Sequence, residues 1–225
     1  LATIDDCSST LGVLLDDVLD FSKLDAGAVE MERIPVVLPH LIHRVARMFR
    51  ATAEANAVTL RVEIAPDLPE CVTGDPMRIR QVLSNLVSNA IKFSQDGTVT
   101  LTAARAGADI IEIRVKDTGI GISEEAQASL FCPFSQADSS TTRKYGGTGL
   151  GLSIARGLAV AMQGELVLEA SSPRGSTFRF RLTAPASGSC DDEDAMCAND
   201  QPSAFTADAA EILTRMSVLV ADDNP

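Results

Sequence analysis

The chain has 225 residues, about one and a half times the roughly 150 of a common domain, and its composition (45% hydrophobic, 22% charged, 15 Gly, 10 Pro) excludes collagen-like, coiled-coil-only and wholly disordered chains. No apolar run approaches the roughly 18 to 20 residues of a membrane span, and no basic-then-apolar leader opens the chain, so a soluble main domain without membrane contact is expected. A net charge of −12 repels the phosphate backbone on which nucleic-acid affinity rests, which argues against DNA or RNA as a partner.

The apolar residues Ile4, Cys7, Leu11, Leu14, Leu15, Val18, Leu19 and Leu24 recur at three-and-four spacing, which predicts an amphipathic helix over 1–26, closed by Gly27. No second stripe lies nearby, so this helix is expected to need a partner from outside the sequence. Another helix is predicted over about 38–55, opened by Pro39. The period then changes: Val58, Leu60, Val62 and Ile64 alternate with Thr59, Arg61 and Glu63, one strand face on a core and the other in water. Further strands are predicted around 99–103, 111–116, 165–170 and 178–182, with helices at 75–93 and about 148–162. Short turns between 97 and 117 imply an antiparallel pair. The expected fold is α+β, a two-layer sandwich whose mixed sheet is polar on one face and covered by helices on the other.

After Pro185 a stretch rich in Ser, Gly, Asp, Asn and Ala runs to about residue 211 and reads as a linker. It holds Asp191, Asp192, Glu193, Asp194, Asp200, Asp208 and Glu211 without a Lys or Arg. Residues 217–221 then read as a buried strand running into Asp222 and Asp223. The odd set of five cysteines lacks a C-x-x-C pair, so reduced thiols are expected. An opening Leu1 and an end at Pro225, just past an apolar run, read as a piece of a longer chain.

Four segments carry chemistry. Asn85, Asn89 and Lys92 stand at i, i+4 and i+7 and share a helix face. A neutral amide oxygen can ligate Mg²⁺ without displacing the phosphate charge the ion bridges, and Lys92 offers a point charge to a phosphate; taken alone, the segment is equally a polar helix face. Asp117-Thr118-Gly119-Ile120-Gly121 ends a strand, where alternate glycines let backbone approach a flat ligand and a carboxylate accepts from an exocyclic amine. By itself that pattern also fits an ordinary strand-ending turn. Gly146 to Ile154 is a glycine-rich loop opening into a helix, an anion site without Walker or Rossmann ordering. Between them, Phe131, Phe134 and the polar run Ser135 to Lys144 read as a lid, with Arg143 and Lys144 available to phosphate charge. Gly175-Ser176-Thr177-Phe178 is a turn into a strand.

In this order the segments resemble the ATP-binding catalytic domain of sensor histidine kinases, in the wider family that includes gyrase, MutL and the large heat-shock chaperone. The resemblance covers roughly residues 1–184: NLVSNAIKF is similar to the family's N box, DTGIGI to its G1 box, LFCPF to its F box and GGTGLGL to its G2 box, with GSTF after them. It implies a Bergerat-type, mainly antiparallel sheet, with ATP and Mg²⁺ as cofactors. Asn89 would bind Mg²⁺, Asn85 and Lys92 would flank the phosphates, and Asp117 would hold the adenine amine. Gly119 and Gly121 would admit the base, and Thr177 would reach the Asp117 side of it. Arg143 and Lys144 would be lid cations; Gly147, Gly149 and Gly151 would form the hinge and phosphate cradle, with Phe134, Thr148 and Leu150 bordering the nucleotide.

Hydrolases of this group are expected to carry a glutamate four residues before the Mg²⁺ asparagine as general base. Here Asn85 takes that place and has no useful basicity, whereas a histidine acceptor already has a lone pair, so the resemblance favours a kinase. Residues 1–32 resemble the second helix and connector of the histidine-transfer hairpin, which would place the phosphoacceptor His before Leu1. His40 and His43 lack an adjacent acidic residue and are expected to be structural or exposed. Val218 to Pro225 resembles the opening of a receiver domain. The implied organisation is therefore 1–32 hairpin helix and connector, 33–184 catalytic domain, 185–215 acidic linker and 216–225 receiver start.

The function expected is the ATP-binding part of a hybrid two-component sensor histidine kinase. Its partners would be its own histidine-transfer hairpin in a parent homodimer, the receiver of the same chain, and a separate phosphotransfer protein or response regulator. The location would be cytoplasmic, with membrane anchorage of the parent left open. Two alternatives stand beside it: a degenerate kinase acting as a nucleotide-dependent docking module, and an ATP-hydrolysing clamp related to gyrase.

Overall fold

The computed structural model describes residues 12, 15, 18–24, 26–94, 96–135, 149–188 and 190. The chain divides into two units, 1–189 and 190–225, and all of the second but Cys190 lies outside the described residues. The sequence-predicted strand at 217–221 and the lid residues Arg143, Lys144, Gly147 and Thr148 also lie outside them.

Residues 18–24 are helical (α1) and lead through a turn at Gly27 into β1 (Ile34–Val37), α2 (Leu38–Met48) and α3 (Arg50–Ala55). There follow β2 (Thr59–Ile64), β3 (Cys71–Gly74), α4 (Pro76–Phe93), β4 (Thr98–Arg105), β5 (Ile110–Asp117) and α5 (Glu124–Ser129). The unit closes with α6 (Gly151–Ala161), β6 (Glu165–Ser172) and β7 (Gly175–Thr183). Five strands form one sheet in the order β2-β4-β5-β7-β6; β2 and β4 are parallel and every other pair is antiparallel, the mixed sheet the alternation predicted.

Three features depart from the predicted elements. The helix expected over 38–55 breaks at Phe49, whose φ of −93° and ψ of 1° separate α2 from α3. A second, two-stranded sheet pairs β1 with β3, and the chain past Pro185 extends it: Thr73 N donates to Pro185 O at 2.8 Å and Ser187 N to Cys71 O at 2.9 Å. Finally, α5 follows the Asp117 turn, with Ser123 as its N-cap accepting from Ala126 N. Cys71 is disulfide-bonded, which corrects the expectation of reduced thiols throughout, while Cys132 is free and exposed. Both histidines are exposed, as expected.

The core lies between the inner sheet face (Leu101, Ile113, Phe180) and α2, α4 and α6 (Ile42, Leu83, Ile154), all fully buried. Each such side chain contributes about 1.5–3 kcal/mol by leaving water. Asp75 fixes where α4 begins: one oxygen accepts from Arg78 N at 3.0 Å as an N-cap and the other from Glu32 N at 3.1 Å, tying the connector to the helix start. The outer sheet face carries a ladder of Arg114, Arg179 and Arg181 against Glu112, Glu165 and Glu169. α1 reaches the domain through Asp20, which accepts from Gln81 Nε2 at 2.7 Å, and through Phe21 and Leu24, while Leu15, Val18 and Leu19 stay exposed. Among the described residues no helix is long and apolar enough to cross a membrane.

Candidate nucleotide site

The end of β5, the C-terminal half of α4 and the β6–β7 turn meet at one edge of the sandwich. Asp117, the last residue of β5, is 6% exposed. Its Oδ1 accepts from Gly119 N at 2.8 Å and Ser176 N at 3.2 Å, and no cation among the described residues pairs with it. Burial pushes its carboxyl above the ordinary value of 3.8, while the two backbone donors oppose that shift. Both bonds fall on Oδ1, which leaves Oδ2 as an acceptor for a ligand amine.

Neighbouring backbone makes the glycines of this turn obligatory. A Cβ on Gly119 would stand 2.2 Å from Phe93 O, and one on Gly121, at φ +71°, 1.9 Å from Ser172 O. Ile120 N donates to Phe93 O at 3.3 Å, so the turn lies directly against the end of α4. A Cβ on Gly175, at φ +122°, would meet Asp117 O at 2.0 Å, which brings the second turn equally close. Ser94, which ends α4, is fully buried and its hydroxyl has no partner among the described residues.

On α4 the core face (Leu86, Val87, Ala90) leaves Asn85, Asn89 and Lys92 half-buried on the other side. Asn85 Nδ2 donates to Gly151 O at 3.1 Å, so this residue joins α4 to the first turn of α6. The amide of Asn89 makes no hydrogen bond with the described residues. Desolvation lowers the pKa of Lys92, whose Nζ lies 5.2 Å from the Phe93 ring centroid. Leu150 is buried at the start of α6 as its N-cap residue and offers no side-chain cap to the helix. Gly149, at φ +73°, accepts through its carbonyl from Phe134 N at 3.1 Å, and Phe134 itself adopts φ +60° and is exposed. Thr177 sits on β7 opposite Lys116, one residue after the Ser176 that holds Asp117.

The structure therefore brings together Asp117, Gly119 and Gly121 against the C-terminal end of α4 and separately joins Asn85 to Gly151, just after Gly149 and Leu150. Thr177, however, alternates with the inward Ser176 and lies with exposed Lys116 on the outer sheet face, which corrects the expectation that it reaches the Asp117 side. Sequence reasoning missed Ser171 and Ser176, which brace the Asp117 turn, and Phe93, whose carbonyl forms its floor. A cleft of about 610 Å³ between α1, Phe131 and α6 lies apart from these residues.

Residues 74–186 match the family described as histidine kinase-, DNA gyrase B- and HSP90-like ATPase, and the chain belongs to that family. The signal transduction histidine-protein kinase BarA of Escherichia coli K12 is 41% identical over 186 residues, which cover 81% of this chain and 20% of BarA. The chain thus spans about a fifth of that relative's length. Full-length ShkA, solved in complex with AMPPNP, superimposes with a TM-score of 0.75 at 30% identity over 84% of this chain and 39% of ShkA. The catalytic domain of histidine kinase ThkA matches with a TM-score of 0.58 at 30% identity over 68% of this chain and 97% of that domain. ThkA in complex with the response regulator protein TrrA also matches, with a TM-score of 0.61 at 26% identity over 82% of this chain and 50% of that one.

Proposed function

We propose that this chain is the ATP-binding catalytic part of a hybrid sensor histidine kinase. In that role it would direct the γ-phosphoryl group of ATP to a histidine on a partner helical hairpin, for relay to a receiver aspartate. The observation that carries the reading is Asp117: a buried carboxylate held by two backbone N–H groups, with no cation partner among the described residues, beside glycines that cannot bear a side chain. Such an acceptor suits the exocyclic amine of adenine, which donates.

The donor set fits a divalent ion through Asn89, whose neutral amide would hold Mg²⁺ against the nucleotide phosphates, with Lys92 adding positive charge. Mg²⁺ would supply charge neutralisation during phosphoryl transfer. Asn85 orients α6 toward the phosphates rather than activating water, which favours transfer to an imidazole over hydrolysis. Arg143, Lys144, Gly147 and Thr148 complete the phosphate side in this reading. The proposed boundaries are 1–32 for the hairpin helix and connector, 33–184 for the catalytic domain, 185–215 for the linker and 216–225 for the receiver start. The partners are the hairpin in a homodimer, that receiver, and a phosphotransfer protein or response regulator.

The direct test supplies the hairpin of a hybrid relative together with γ-labelled ATP and Mg²⁺. Acid-labile label on the hairpin histidine, lost with Asn89→Ala while the variant keeps its thermal midpoint, is the expected result. Nucleotide binding without transfer would replace the kinase by a nucleotide-dependent docking module.

A further inference from the structure

Strand β6 changes register once. Glu165, Leu166, Val167 and Leu168 pair with Arg181, Phe180, Arg179 and Phe178, but Ala170 pairs with Thr177, so Glu169 is an extra residue, a β-bulge. Before the bulge, Glu165 belongs to the outer ladder and Leu166 to the core, and Glu169 at the bulge itself still joins the outer ladder. In unbroken alternation Ser171 would continue the outer set. The bulge instead sets it opposite Ser176, an inner-face residue that is 5% exposed.

There the Ser171 hydroxyl meets the nucleotide turn. Its Oγ accepts from Ile122 N at 2.8 Å, lies 3.1 Å from Ser176 Oγ and 3.4 Å from Ile122 O, and sits 3.4 Å from where a Cβ on Gly121 would stand. Ser176 N in turn donates to Asp117 Oδ1. Asp117 holds one end of the 117–122 turn and Ser171 the other, joined through Ser176. Gln127 Nε2 donates to Ile122 O at 2.8 Å, so the next helix is fastened to the same residue.

We propose that Ser171 is a positioning residue for recognition of the nucleotide base, and that the Glu169 bulge exists to aim it. The hydroxyl acts through its bonds to Ile122 and Ser176: it fixes the height of the Gly119–Gly121 backbone relative to the Asp117 acceptor. Loss of the hydroxyl leaves the Ile122 N–H without its acceptor and frees the far end of the turn. This inference rests on the adenine-site reading above and refines it.

The test compares Mg²⁺ complexes of a non-hydrolysable ATP analogue and of inorganic tripolyphosphate, which shares the phosphates but has no base. Ser171→Ala is expected to weaken the analogue about tenfold and leave tripolyphosphate unchanged, and Ser171→Thr, which keeps the hydroxyl, restores most of the loss. Equal weakening of both ligands, or no weakening of the analogue, overturns the proposal. If the unaltered protein binds no adenine nucleotide, the site reading falls and this proposal with it; if it binds and Ser171→Ala binds equally well, only this proposal falls. Should Ser171→Ala fail to fold, amide exchange in the unaltered chain decides. Ile122 N–H is expected to be protected before nucleotide is added, and fast exchange there overturns the assignment.

Discussion

Asp117 and Glu169 stand on the same sheet and are treated in opposite ways. Glu169, on the outer face, has Arg114 at 2.8 Å and Arg179 at 3.2 Å, and Arg114 beside it holds its carboxyl below the usual carboxylate range. Asp117, at the inner edge, is more buried yet among the described residues receives only backbone N–H groups, and burial holds its carboxyl high. Asp75, equally buried and also held only by backbone N–H groups among the described residues, uses both oxygens to fix the start of α4, whereas both bonds to Asp117 fall on Oδ1 and leave Oδ2 open. The contrast separates a structural carboxylate from one kept as an acceptor for something that binds.

The largest expected effect is Gly121→Ala. A Cβ 1.9 Å from Ser172 O, at a φ that disfavours side chains, forces the turn out of place. A loss of about 3 kcal/mol or more in chemical denaturation is expected, with loss of nucleotide binding. A variant of unchanged stability would mean the turn is looser than its contacts imply.

Asp117→Asn comes next and sharpens the comparison. An amide can present a donor where an acceptor is needed, so affinity for the ATP analogue should fall about 10- to 100-fold by calorimetry. The thermal midpoint at pH 7, however, should not fall, because the substitution removes a buried charge. The pH dependence follows from the raised folded pKa: the folded state binds more protons than the unfolded one between 3.8 and that raised value, so Asp117 lowers stability as pH rises through the window. Any stability advantage of the variant should therefore vanish below pH 3.8.

Glu169→Gln should give the smallest and opposite result. Its lowered folded pKa means that its stabilisation is present above the ordinary value of 4.5 and is lost as pH falls through the lowered one. The variant should lose under about 1 kcal/mol at pH 7, less at low pH, with no change in nucleotide affinity. If instead this variant altered binding and Asp117→Asn altered only stability, the assignment of roles would be reversed.

The sandwich was legible because period-two and period-3.6 patterns persist over six or more residues, as at Thr59–Ile64 and Pro76–Phe93. The four-residue strands β1 and β3 are too short to establish a period, although Cys71-Val72-Thr73 before Gly74-Asp75-Pro76 was a readable strand and helix start. Phe49 broke one predicted helix because its apolar side chain fits the stripe while its backbone leaves it. At the site, Asn85, Asn89, Lys92 and Asp117 could be nominated from spacing. The Asp117 turn was weak evidence on its own, since what defines it comes from Phe93, Ser171, Ser172 and Ser176. Ser171 was not legible at all: a bulge is a relation between two strands, and no single strand's sequence states its register.

The measurement that bears most directly on the account is calorimetric binding of Mg²⁺ complexes of non-hydrolysable ATP and GTP analogues to the unaltered chain and to Asp117→Asn. The account predicts at least a tenfold preference for adenine in the unaltered chain, from an acceptor meeting an amine, and its erosion in the variant. Equal affinity for the two bases, or a preference that survives Asp117→Asn, would contradict it.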